Sequence, residues 1–134
     1  MLTKAGVQFG LFGGAILHLG TEQHHHEYLR PLISGDLLGC FAMTETGHGS
    51  NVQALETTAE YDAVAGEFVI TTPHELARKD YIGNAAEHGR LAVAFAQLIV
   101  ADEPRGVHAL VVPIRDPAGN PILLHHRYGP YGPR

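Results

Sequence analysis

A change in the spacing of apolar residues near residue 36 divides the chain into a short helical part and a longer strand-rich part. Before that point, apolar residues recur at steps of three and four, at Val7, Leu11, Phe12, Ala15, Ile16 and Leu19. This spacing is typical of the buried face of a helix. A second helix is predicted over Gln23 to Ser34, with a kink or restart at Pro31 and an end at Gly35. Glycines inside the first helix weaken it, so it needs neighbours that approach its backbone closely.

Short apolar or alternating runs follow residue 36 and are typical of β-strands. They cover residues 37–43, 56–61, 67–72, 91–101 and 107–114. Turn residues separate them at 62–66 and again at 102–106. We therefore expect a mainly β fold, an antiparallel barrel or sandwich preceded by one or two helices. From residue 122 onward the chain is rich in Pro, Gly and His without periodicity, which predicts an irregular tail.

The composition excludes several classes of function. Fourteen acidic against nine basic residues leave a net charge of −5, so we expect no nucleic-acid partner and no polybasic membrane anchor. No apolar stretch reaches the roughly 18 residues that a membrane span requires. Glycines and His18 interrupt the first apolar run, so no signal peptide is expected. The single cysteine, Cys40, favours a reducing, intracellular setting, although a secreted protein without disulfides stays open.

One segment has the residue types of a ligand-binding loop. In Phe41–Asn51 (FAMTETGHGSN) a predicted strand runs into a loop that contains Thr44, Thr46, Ser50 and two glycines. Glycine lets the backbone approach a bulky ligand. Hydroxyl groups and exposed N–H groups in such a turn can bind a phosphate or a flat heterocycle. Many surface loops share this composition, so a ligand role and a plain surface loop both stay open at this point.

Three motifs in order resemble one enzyme superfamily. They are Met43–Val52 (MTETGHGSNV) continued by Leu55–Ala59 (LETTA), then Lys79–Ala85 (KDYIGNA), then Gly106–Arg115 (GVHALVVPIR). Together they resemble the flavin-binding region of the acyl-CoA dehydrogenase and acyl-CoA oxidase superfamily. His48 between two glycines, and Gly-Val-His-Ala before the last strand, are closer to the oxidase branch. The resemblance implies the end of an N-terminal helical domain over 1–35, a middle β-domain over 36–121, and a tail over 122–134.

The resemblance implies FAD contacts at Phe41, Met43, Thr44, Gly49, Ser50, Tyr81, Ile82 and Gly83. The backbone at Met43 and the hydroxyl of Thr44 are expected at the O2, N3 and N5 edge of the flavin ring. Gly49 and Ser50 match the loop beside the pyrophosphate, and Ser50 also matches a contact to the substrate thioester.

The rest of this set also follows the family pattern, with departures. An aromatic residue beside the flavin is expected at Phe41. Tyr81 stands where dehydrogenases carry tryptophan, and Ile82 follows in the segment whose backbone faces the flavin. Gly83 replaces a common threonine, which again resembles the oxidases.

The implied reaction is oxidation of acyl-CoA to trans-2-enoyl-CoA with O₂ or an electron-transfer flavoprotein as acceptor. The family's glutamate base belongs to a C-terminal helical domain outside this sequence, and Glu45 does not match it. We therefore expect no catalytic residue here and negligible turnover by the chain alone. The resemblance also implies a homo-oligomeric complete enzyme, cytoplasmic, or peroxisomal in a eukaryote. After Asn120 the sequence departs from the family pattern, for which a truncated or frame-shifted gene product is the hypothesis.

Two other classes of function stay open. One is a binding module that holds FAD or acyl-CoA without chemistry. The other is an inert fragment, or a subunit that needs a partner chain to complete its site.

Several polar residues have plainer interpretations. His24, His25 and His26 are expected as solvated side chains, because adjacent helix positions cannot all face one ion. No metal site is therefore expected. His48 is either close to a ligand or a structural hydrogen-bonding residue, and Cys40 is expected as a small buried residue. The charges of Arg78, Lys79 and Arg90 are expected at the surface, with phosphate contacts as the alternative.

Overall fold

The computed structural model describes residues 2–122, and two helical stretches come first. The first comprises α1 (Leu2–Ala5), a π-helical turn (Gly6–Gly13) and α2 (Gly14–Leu19). The second comprises α3 (Glu22–His24), a π-helical turn (His25–Leu29) and α4 (Arg30–Ser34). Both predicted helices are thus present. Gly35 ends the second one in the left-handed region at φ 84°, a conformation that glycine adopts readily.

Within residues 2–122 five strands follow, and each overlaps a predicted run. They are β1 (Gly39–Ala42), β2 (Thr58–Asp62), β3 (Glu67–Thr71), β4 (Leu91–Val100) and β5 (Glu103–Pro113). Short 3₁₀ turns lie at Val52–Ala54 and Glu75–Ala77. The turn predicted at 102–106 is misplaced, because Ala101 and Asp102 form it with φ of 52° and 61°. Two successive positive φ angles match the twist of a tight hairpin, so β5 already begins at Glu103.

The strand pairings are mixed. The β1 and β2 strands both run parallel to β4, whereas β2 and β3 pair antiparallel. The prediction of an antiparallel sheet is therefore wrong for two of the pairs. A long connection separates β1 from β4 and includes β2 and β3, and a connection of that length permits a parallel crossover. Within residues 2–122 the sheet does not close into a barrel, and the predicted tail beyond residue 122 lies outside the described residues.

The chain divides into two compact units. Unit 1 contains the residues up to Ala42, Ile82–Ala94 and Val111–Ile122. Its core joins five small or aliphatic residues, namely Cys40, Ala42, Ala85, Ala92 and Ile114. Phe12, Ile16 and Leu32 are also buried. A Cβ atom at Gly13 would lie 3.2 Å from Leu32 Cδ2, so this glycine permits the close approach that the sequence predicted.

Unit 2 contains Met43–Tyr81 and Phe95–Leu110 among the described residues. Its buried apolar residues are Leu55, Ala59, Ile70, Ala77 and Ala96. Unlike unit 1, it also buries two charged side chains, those of Glu45 and Lys79. In the part of the chain from residue 2 to residue 122, no helix has the length and apolarity needed to cross a bilayer.

Candidate functional site

The motif loop of unit 2 is a tight turn anchored on both sides. Backbone hydrogen bonds run from Glu45 N to His48 O (3.0 Å) and from His48 N to Glu45 O (3.1 Å). Inside this turn, Gly47 N donates to Leu76 O at 2.8 Å. The loop is therefore fixed by its own turn and by the segment that precedes Lys79.

Two of the motifs lie side by side in unit 2. Glu45 and Lys79 form an isolated antiparallel bridge. Thr46 N donates to Arg78 O at 2.9 Å, and Asp80 N donates to Thr44 O at 3.0 Å. Met43 and Thr44 are thereby brought next to the residue that precedes Tyr81.

A buried ion pair crosses this bridge. Lys79 Nζ lies 3.0 Å from Glu45 Oε1, with 1% and 0% of the two side chains exposed. The prediction of a surface charge at Lys79 is therefore wrong. Lysine side chains are usually exposed. Here the Glu45 carboxylate and the Met43 carbonyl accept hydrogen bonds from the buried Lys79 ammonium group.

The ionisation of Glu45 reflects two opposed effects. Burial acts to raise the pKa of this carboxyl. Hydrogen bonds from Thr57, the Glu56 amide and Lys79 outweigh burial, so the pKa lies below its ordinary value of 4.5. The ionised form is thus favoured. Because the side chain is enclosed and accepts several hydrogen bonds, Glu45 is not placed to remove a proton from a ligand.

Thr44 presents unused hydrogen-bond donors. Its carbonyl is occupied by Asp80 N, but within residues 2–122 neither its hydroxyl nor its N–H has a protein partner. Gly49 and Ser50 are exposed, and in the same described range their N–H groups lack acceptors. A Cβ atom at Gly49 would meet nothing within 4 Å, which leaves open space beside the loop.

Tyr81 is 88% exposed and has a positive φ of 58°. Its N–H contacts Asp80 Oδ1 at 3.2 Å. A bulky residue with φ in the left-handed region is uncommon and costs conformational energy. The strained main chain and the exposed ring single out Tyr81 as a candidate contact residue for a flat ligand.

The remaining predicted site residues lie in unit 1. Phe41 is half-buried on β1 and pairs in register with Val93 of β4. Ile82 packs against the Cys40 cluster. Gly83 is exposed, and a Cβ atom there would lie 3.1 Å from Val7 Cγ2. In unit 1 the structure thus places Ile82 beside the strand that carries Phe41.

Some residues that shape these segments escaped prediction. Gln8 is buried, donates from Nε2 to Leu37 O at 2.6 Å and accepts from Gly39 N at 3.0 Å. Asn84 donates from Nδ2 to Gly39 O at 3.2 Å. Both hold the start of β1. A polar residue inside the apolar helical stripe, as Gln8 is, was the one available signal.

Two histidines of unit 2, His48 and His74, share one carboxylate partner. His48 Nε2 and His74 Nε2 each lie 3.2 Å from a carboxylate oxygen of Glu56, which favours the structural interpretation of His48. Ligand atoms of Glu45, His48 and Glu56 lie within 4.8 Å of one another, but Glu45 is already saturated with donors.

In unit 1, His25 is half-buried and not fully solvated as predicted. Its Nε2 is within hydrogen-bond distance of Ile16 O (3.1 Å) and Leu17 O (3.0 Å), where it satisfies the end of the first helical stretch.

Comparison with known proteins agrees with the three motifs. Residues 40–129 match the family model of the acyl-CoA dehydrogenase middle domain. Over 119 residues the chain is 50% identical to peroxisomal acyl-coenzyme A oxidase 2 of Arabidopsis thaliana, covering 84% of this chain and 17% of that protein. The solved structure of Arabidopsis thaliana acyl-CoA oxidase 1 matches with a TM-score of 0.85 at 38% identity, covering 89% of this chain and 18% of that one.

A second solved structure is described as carrying ligands. It is acyl-CoA oxidase-2 of Caenorhabditis elegans bound with FAD, ascaroside-CoA and ATP. The TM-score is 0.85 at 31% identity, and the match covers 98% of this chain and 20% of that chain. This chain therefore spans a fifth or less of the length of these relatives. It belongs to the acyl-CoA dehydrogenase and acyl-CoA oxidase superfamily, carries the middle domain of that superfamily, and stands with the oxidase branch.

Proposed function

We propose that the chain is the FAD-binding part of a flavoprotein that oxidises acyl-CoA to trans-2-enoyl-CoA. The observation that carries this proposal is the pair of unused donors on Thr44, held beside the segment that leads to Tyr81. A flavin ring needs donors along its pyrimidine and N5 edge. When bound, FAD supplies the hydride acceptor, and protein donors at that edge stabilise the electron-rich reduced ring.

Residues of unit 2 would hold the flavin ring and the pyrophosphate of the cofactor. Met43 and Thr44 would contact the ring edge, and Tyr81 would pack its exposed ring against the flavin. The N–H groups of Gly49 and Ser50, which have no acceptor within residues 2–122, suit the FAD pyrophosphate. Ser50 is also the proposed contact to the thioester of the substrate.

The proposed contacts in unit 1 are Phe41, Ile82 and Gly83. Each rests on the position of the residue in a matched motif. Phe41 would supply an aromatic contact to the ring, and Ile82 and Gly83 would supply backbone contacts. The exposed glycine at 83 adds no hydroxyl donor.

The complete enzyme would add what this chain does not supply. We expect a glutamate base, a surrounding helical domain, an acyl-CoA substrate, and O₂ as acceptor, with an electron-transfer flavoprotein as the alternative. The same proposal includes four further points. They are closure of a β-barrel or sandwich, domain boundaries at residues 35 and 121, a homo-oligomeric state, and a cytoplasmic or peroxisomal location. Relatives several times longer than this chain support it. For the chain alone we expect no turnover.

A flavin titration tests the proposal. The purified 134-residue chain should quench added FAD fluorescence and retain an absorption band near 450 nm after gel filtration. Thr44→Val should weaken FAD binding about 3- to 10-fold, as expected for loss of one hydrogen bond. Thr58→Val on β2 is the matched control and should bind like the parent chain. Absence of FAD binding by the parent chain would overturn the proposal.

The second candidate function is a non-catalytic binding module or a subunit that needs a partner chain. It would bind FAD or acyl-CoA. Enoyl-CoA formed only after a partner chain is added would favour the subunit, whereas turnover by the isolated chain would contradict both the subunit and the expected inactivity.

A further inference from the structure

We propose that Glu45 and Lys79 are positioning residues, whose buried ion pair orients the peptide groups around Thr44 so that its donors face the cofactor. The inference rests on the proposed FAD binding and deepens it. Neither side chain reaches solvent, with 0% of Glu45 and 1% of Lys79 exposed. Any effect on a ligand is therefore indirect, through the main chain that the pair holds.

The Glu45 carboxylate joins three segments of unit 2. Oε1 accepts from Thr57 N at 2.9 Å, Thr57 Oγ1 at 2.6 Å and Lys79 Nζ at 3.0 Å. Oε2 accepts from Glu56 N at 2.9 Å. Four donors from two other segments thus converge on one side chain of the motif loop, and each of them has a direction that the carboxylate must satisfy.

Lys79 reaches the peptide bond that precedes Thr44. Its Nζ donates to Met43 O at 3.1 Å. The Met43 carbonyl and the Thr44 N–H belong to one planar trans peptide group, so orienting the carbonyl also sets the direction of the N–H. Asp80 N holds the next carbonyl, Thr44 O, at 3.0 Å. Both peptide planes that flank Thr44 are therefore fixed.

A buried ion pair is a poor source of net stability. Removing two charges from water offsets much of their attraction, and apolar pairs of similar volume often stabilise a protein as well. A directional role explains the pair better, because an apolar pair would fill the same space without orienting the Met43 carbonyl. The Glu45–Lys79 pair therefore orients Thr44, and this role is distinct from filling the interior of unit 2.

The test uses the 134-residue chain and four variants. Lys79→Met removes the donor to Met43 O. Glu45→Gln combined with Lys79→Met replaces the ion pair by neutral groups of similar size, which limits loss of stability. Lys4→Met and Glu75→Gln make the same charge changes at exposed positions and serve as matched controls. Thermal unfolding, amide exchange of the hydrogen-bonded Thr46 and Asp80 N–H groups, and FAD dissociation constants are measured for each.

The expected result separates orientation from stability. The double variant should unfold close to the parent temperature, yet exchange these amides at least about 10-fold faster and bind FAD at least about 10-fold more weakly. The controls should match the parent chain in all three measurements. If the double variant has both the unfolding temperature and the FAD affinity of the parent chain, the pair is merely structural and the inference is overturned.

Failure of the proposed function gives a different pattern. If the parent chain binds no FAD, the cofactor proposal is overturned, together with the part of this inference that concerns the cofactor. The amide-exchange measurement still decides whether the pair holds the segment. If exchange at Thr46 and Asp80 is the same in the double variant and the parent chain, orientation by the pair is overturned whatever the flavin result.

Discussion

The two units hold their motif residues by different interactions. In unit 1, Cys40 and Ala42 of β1 pack against Ala85, Ala92 and Ile114. In unit 2, the segment that carries Thr44 is held by the Glu45–Lys79 ion pair and by backbone hydrogen bonds. Apolar packing depends on volume and has little directional preference, whereas a charged hydrogen bond depends on angle as well as distance. The difference indicates that unit 1 supports its segments mainly by packing, with Gln8 and Asn84 adding hydrogen bonds at the start of β1, and that unit 2 orients particular peptide groups.

The largest expected effect is loss of the buried aromatic ring in unit 1. Phe12 is fully buried, and a Cβ atom at Gly39 would overlap its ring. Phe12→Ala should lower the free energy of unfolding by about 3–5 kcal/mol. Phe12→Leu should cost much less than Phe12→Ala, because leucine restores most of the buried volume that this unit requires. Urea unfolding monitored by circular dichroism measures both, and equal losses for Ala and Leu would contradict a volume-based core.

The two units should lose stability at opposite ends of the pH range. Burial raises the pKa of the Cys40 thiol from 9.0 to about 11, with Arg115 opposing that shift. The folded state therefore keeps a proton that the unfolded chain releases, so stability is full below about pH 8.5 and falls as the pH rises through 11. The rise corresponds to roughly 2–3 kcal/mol. Cys40→Ala should remove this alkaline loss when urea unfolding is compared at pH 8 and pH 11.

Glu45 gives the acid counterpart in unit 2. Its folded-state pKa is lowered, so its contribution is present above the ordinary carboxyl pKa and is lost as the pH falls through the folded value. Glu45→Gln should lack this acid loss, and Cys40→Ala should retain it. An acid loss that persists in Glu45→Gln would contradict the assignment.

The smallest expected effect is at the exposed ion pair beside the buried one. Arg78 and Glu75 lie 3.3 Å apart, and 88% of the Glu75 side chain is exposed. Glu75→Gln should lower the free energy of unfolding by less than about 1 kcal/mol, because solvent screens such pairs. Thermal unfolding checks this. A loss comparable to that of Phe12→Ala would show that charge alone, without burial, carries unit 2.

Local patterns predicted most elements, but not their partners. The helical stripe, the hairpin around residues 62–66 and the Gly35 terminus depend on neighbouring residues and are present. The turn at Ala101–Asp102 was predicted slightly too late in the chain, at 102–106, because neither residue is the asparagine or glycine that a tight hairpin with positive φ favours. The parallel pairing of β1 with β4 escaped for another reason. It is set by packing between distant segments, which no local spacing records.

The candidate site divides in the same way. The order and the residue types of the motifs identify the superfamily and point to Thr44 and Tyr81 as candidate site residues. Both are properties of short stretches of sequence and need no knowledge of the fold. The tertiary structure brings two segments 36 residues apart into contact. Only this contact buries Lys79, places it against the Met43 carbonyl and thereby orients Thr44. The sequence does not show whether solvent or a carboxylate surrounds a lysine. Only the tertiary structure therefore decides whether Lys79 is a surface charge or a positioning residue.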